Sequence, residues 1–97
     1  MTTIAGLSGK QIRDKLDGDD WAARQLAAVI CSSCWGGACV DLRLLGTLDI
    51  DDWLLALAIM NYRRTHIGDL AFYDLAAWCR TRHNLTQFHP AIEITSR

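Results

Sequence analysis

Glutamate is almost missing from this chain. Of eleven acidic residues ten are aspartate and one, Glu93, is glutamate. Aspartate disfavours helix interiors and favours helix N-termini, so its positions should mark where helices begin. Proline is equally scarce: Pro90 stands alone, and no Pro- or Ser-rich linker divides the 97 residues. That predicts a single domain over residues 1–97. Long apolar runs are lacking too. The longest, Trp53 to Met60, is eight residues, far short of the roughly 20 that cross a bilayer. The N-terminus has neither a basic segment nor a continuous apolar one, so a cleaved secretion signal is not expected and a reducing, cytoplasmic location is. There is no excess of charge of one sign, the formal balance being −1, and so no global basic field for nucleic acid or an anionic membrane. Catalytic signatures are absent as well. Gly36-Gly37 lacks the Lys-Ser or Lys-Thr of a phosphate loop, no Gly-x-Gly-x-x-Gly occurs, and no serine or cysteine sits on a glycine-flanked elbow. An enzyme is not expected.

What is present reads as helix. With 51% hydrophobic and 22% charged residues the chain has the balance of a globular domain. Ser8 with Gln11 three residues on forms a capping box, with Leu7 and Ile12 as its staple, and predicts a short helix to about Asp17 stopped by a left-handed Gly18. Asp19 or Asp20 should cap a second helix from Trp21 to about Trp35. In it Ala23, Leu26, Ala27, Ile30 and Cys34 lie on one face, and Gly36-Gly37 ends it. Residues 39–45 fit either state: Val40, Leu42 and Leu44 alternate as in a strand, but the leucine content favours a short helix. Asp49 should cap a helix to about Arg64, with Asp51 and Asp52 in its first turn and Arg63, Arg64 and His66 at its C-terminus. This helix is apolar on every side from Trp53 to Met60, so other helices or a partner chain should wrap it. Gly68 breaks it, and Asp69 caps a last helix from Leu70 to about His83 with Phe72, Leu75, Ala76 and Cys79 inward and Asn84 as its stop. Pro90, Ile92, Ile94 and Thr95 favour an extended tail. The expected fold is all-α, a four- or five-helix bundle with an extended C-terminal arm.

Cysteine carries the most chemistry-like pattern: Cys31-x2-Cys34-x4-Cys39, with Cys79 distant and His66, His83 and His89 as further potential ligands. Four ligands for zinc can be assembled from Cys31, Cys34, Cys39 and Cys79. The first pair, however, lies late in an Ala-rich helix and Cys79 has no near mate, so buried thiols are the preferred reading, with no cofactor. A thioredoxin-type role fails because Cys31 and Cys34 sit at the wrong end of their helix for the dipole to lower a thiol pKa.

Charge is split along the chain. Residues 1–52 hold eight acids and five bases; residues 53–97 hold three acids and five bases. Arg63, Arg64, Arg80 and Arg82 could meet phosphates, though helix-dipole complementarity is the preferred explanation and Asp69 and Asp74 stand where a recognition helix would read bases. The acids Asp17, Asp19 and Asp20, next to Trp21, and Asp49, Asp51 and Asp52 could instead face a basic surface of a partner protein. In size, lack of catalytic signatures and compact helical character, the chain resembles small phage-encoded inhibitors such as anti-CRISPR proteins in a general way. That likeness implies a module that occupies a surface of a larger protein machine and names no site residue. A protein partner and a homodimer are thus the expected associations. Nucleic-acid binding and zinc stabilisation are the alternatives.

Overall fold

The computed structural model describes residues 2–35 and 40–85. They form five helices: α1 (Gly9–Leu16), α2 (Trp21–Cys34), α3 (Leu42–Leu45), α4 (Ile50–Thr65) and α5 (Leu70–Arg82). The all-α fold is as expected. The proposed C-terminal arm, the Gly36-Gly37 stop and Cys39 lie outside the described residues. Residues 42–45 are helical rather than extended, begun by Asp41, whose carboxylate accepts from the Arg43 amide at 2.9 Å.

Local chemistry sets the helix starts. Before α1 the chain reverses at Ala5 and Gly6, both left-handed, while Ile4 and Leu7 exchange two backbone hydrogen bonds of 2.9 Å. Ser8 and Gln11 then close the capping box, Gln11 N–H donating to Ser8 Oγ and Ser8 N–H to Gln11 Oε1. Asp49 accepts from the Asp52 amide at the head of α4, and Asp69 from Ala71 and Phe72 at the head of α5. Asp20 occupies the same position before α2 without making such a bond. Gly68, left-handed at φ +85°, makes the break between α4 and α5, and Asn84 is left-handed after α5.

The stop of α1 differs from expectation. Gly18 is not among the left-handed residues. Two other carbonyls at this end are held from the far end of the chain: His83 Nε2–H donates to Leu16 O at 2.7 Å and Arg82 donates to Asp17 O.

A larger difference concerns the centre of the bundle. The apolar α4 was expected to be wrapped by other helices or by a partner chain; within the chain it is α2 that is central and packs against each of the other four. Seven apolar residues of α2 are buried, Ala23, Leu26, Ala27, Ala28, Val29, Ile30 and Cys31, together with Gln25, whose side-chain oxygen accepts from the Asp41 amide. Small side chains here let neighbouring backbones approach closely. α4 buries Asp52, Leu55, Ala56, Ile59 and Tyr62 and leaves its other side in water. α5 turns Phe72, Leu75, Ala76 and Cys79 inward, as its spacing predicted.

Candidate functional site

The outer side of α4 carries a line of large apolar side chains in water. Ile50, Leu54 and Leu57 stand at i, i+4 and i+7, on one line of the helix. They are 66%, 51% and 42% exposed, with Met60 beside them at 42%. The buried residues Leu55, Ile59 and Tyr62 occupy the opposite side. Trp53 and Met60 lead from the stripe into an apolar groove of about 420 Å³ toward α3, completed by Val29, Val40, Leu42 and Leu45 with Ser32 and Ser33. On the other flank a hollow of about 370 Å³ is lined by Ala5, Leu7, Lys15, Asp51, Leu54 and Leu55. Apolar side chains therefore run unbroken from one groove over the helix to the next.

Charge brackets the stripe. Asp49 and Asp51 are exposed at its N-terminal end and Arg64 at the other. Asp52 turns inward to an ion pair of 2.8 Å with Lys15, whose pKa is raised chiefly by that hydrogen bond. Arg63 bends back over the Tyr73 ring at 5.4 Å, so Arg64 is the guanidinium that projects at the end of the stripe.

The other residues singled out in the sequence separate into two groups. Asp17 and Asp19 do not form a free acidic patch with Asp20: both accept from Arg82, at 2.8 and 2.9 Å, so residues assigned to opposite surfaces meet each other within the chain. The same bonds raise the Arg82 pKa. Arg80 lies over Trp35 at 5.6 Å. Asp20 and Trp21 remain exposed. Arg24 reaches across to donate to His83 O at 2.7 Å, which ties α2 to the end of α5.

Among the described residues Cys31, Cys34 and Cys79 lie in or against the core. Cys31 donates its S–H to Ala76 O at 3.3 Å. Burial pushes the Cys31 thiol up to about 11 and the Cys79 thiol up to about 12, and raises Cys34 as well. Such thiols are protonated and unreactive near neutrality. Among the described residues no three His, Cys, Asp or Glu side chains converge as a metal site would require. At the α4–α5 joint Tyr62 donates to the Asp69 carboxylate and stacks on His66 at a centroid distance of 3.9 Å. Burial raises the Tyr62 pKa, and the Tyr62 hydroxyl holds the Asp69 carboxyl below its usual range. This arrangement joins the end of α4 to the head of α5.

The sequence singles out Asp49, Asp51 and Asp52 and marks Trp53 to Met60 as apolar all round, but does not show that Ile50, Leu54, Leu57 and Met60 are the side left in water. The signal was their own helical spacing, hidden because the opposite face of α4 is also apolar. None of the helices described is long and apolar enough to cross a membrane. Comparisons with protein-family models, with curated proteins and with solved structures found no match to this chain.

Proposed function

We propose that this chain is a non-enzymatic protein-binding module that docks through the outer face of α4, in the manner of a small cytoplasmic inhibitor occupying a surface of a larger assembly. One observation carries the reading: four large apolar side chains, Ile50, Leu54, Leu57 and Met60, are left in water on a helix whose other side is core. A contiguous apolar surface rimmed by charge is what protein interfaces use. The acids at the α4 N-terminus and Arg64 at its C-terminus supply that rim. The alternative of nucleic-acid binding is less favoured, because Arg82 is committed to Asp17 and Asp19 and Arg63 and Arg80 lie over aromatic rings.

Capture from a lysate of the source organism, comparing wild type with the Leu54→Asp, Leu57→Asp double variant, tests the reading. Both positions are exposed, so the variant should keep its helicity and melting temperature. A protein held by wild type and lost by the variant is expected; a partner that both hold equally would move the contact off α4.

A further inference from the structure

We propose that the partner of the α4 face is a second copy of this chain, packed antiparallel about Leu57. The assignment rests on the reading of that face as a protein-docking surface and names what occupies it.

At roughly 100° per residue, Ile50, Leu54, Leu57, Asn61 and Arg64 fall within about 40° of a single line along α4, and all five are exposed. A twofold contact requires a surface that complements itself. The order along this line is acidic turn, three aliphatic side chains, Asn61, then Arg64, and reversing one copy against another matches it. Leu57 then faces Leu57, Leu54 lies beside Met60 and Asn61 of the other copy, and Ile50 lies along the aliphatic stem of the other copy's Arg64. Asp49 and Asp51 of each copy come to the Arg64 end of the other. Asp51 and Arg64 belong to none of the ion pairs formed among the described residues, so both are open to one across an interface. A parallel arrangement would set Arg64 on Arg64 and align the two helix dipoles, which electrostatics disfavours. The stripe is smaller than the roughly 800 Å² per partner of a standard interface, and the dimer is accordingly weak and concentration-dependent.

Sedimentation velocity of the intact chain from about 10 to about 500 μM reads this directly. The mass should rise from the 10.8 kDa of one chain toward twice that value. Leu57→Asp, at an exposed position on the twofold axis, should stay monomeric throughout with an unchanged circular dichroism spectrum. Arg64→Glu and Asp51→Lys should each weaken association about tenfold or more, since each puts like charges together at both ends. An equimolar mixture of the two should recover it as a heterodimer. Wild type that remains monomeric at the top concentration overturns the second copy as partner, while the capture experiment decides separately whether α4 binds a different protein. A dimer indifferent to Leu57→Asp overturns the α4 contact, and a mixture that fails to recover overturns the antiparallel arrangement.

Discussion

Two helices of this protein are comparably apolar and have opposite fates. α2 reads WAARQLAAVICSSC and α4 reads IDDWLLALAIMNYRRT; the first is buried nearly all round, the second on one side. Side-chain size separates them. Ala23, Ala27, Ala28 and Cys31 make α2 thin, and facing residues such as Ala76 and Cys79 on α5 are also small, so helices can close around it at short interaxial distance. Trp53, Leu54, Leu57 and Met60 make α4 thick. A chain of this length buries roughly 60–70% of its unfolded surface, which leaves too little material to enclose a second central helix. Apolar content therefore identifies which helices can be buried, while packing geometry chooses the one that is.

The sharpest break in that comparison comes from equal truncations on the two helices. Ile30 on α2 is fully buried, so Ile30→Ala should cost about 2–5 kcal/mol, whereas Leu57→Ala on the exposed face of α4 should stay within about 0.5 kcal/mol at concentrations where the chain is monomeric. Urea denaturation of both variants measures the contrast; similar losses would mean that α4 is enclosed after all. Enlarging the thin helix is the complementary test. Ala27 is fully buried, and Ala27→Leu should destabilise by about 1–3 kcal/mol by forcing apart α2 and its neighbours.

Caps sharpen the comparison on a smaller scale. Asp49 holds the Asp52 amide at the head of α4, but Asp20 makes no such bond at the head of α2. Asp49→Ala should therefore lower stability by about 1 kcal/mol, and Asp20→Ala by a few tenths at most. The melting temperatures of the two variants should rank accordingly.

The smallest effect near neutral pH concerns the thiols at the core of the thin helix. In the folded chain Cys31 and Cys79 titrate at about 11 and about 12, against an ordinary 9.0. The unfolded chain releases these protons first, so their contribution to stability is fully present below pH 9 and is lost as pH rises through the folded values. Denaturation midpoints should fall across that alkaline window, and less so in a Cys79→Ala variant once its own baseline loss is subtracted. Labelling with a thiol reagent at pH 8 should leave Cys31 and Cys79 protected until the chain unfolds; fast labelling of either would contradict the burial assigned to it.

Much of the helical framework was legible because it depends on neighbours in sequence. Ser8 with Gln11, Asp49, Gly68 with Asp69, and Asn84 act within a few residues of themselves, so their roles follow from residue type and spacing. The inward face of α5 was equally readable, since Phe72, Leu75, Ala76 and Cys79 contrast with Asp74 and Arg80 around the helix. Where the contrast failed, so did the reading. α4 is apolar on both faces between Trp53 and Met60, and periodicity alone offers no reason to prefer Leu55 and Ile59 as core over Leu54 and Leu57.

Contacts between distant segments were invisible for a different reason. The union of Asp17 and Asp19 with Arg82 joins residues more than 60 positions apart, and nothing in either segment marks the other. At the same place Arg82 and His83 donate to the Asp17 and Leu16 carbonyls, where the expected left-handed Gly18 is not found. The sequence by itself determined the helices, their starts and the segregation of acids to one half of the chain, all consequences of local hydrogen bonding and 3.6-residue periodicity. Only the tertiary structure decided that α2 forms the centre and that α4 keeps Ile50, Leu54, Leu57 and Met60 in water. Which of two apolar surfaces is buried depends on how closely other helices can approach it, and that distance is a property of the assembled bundle.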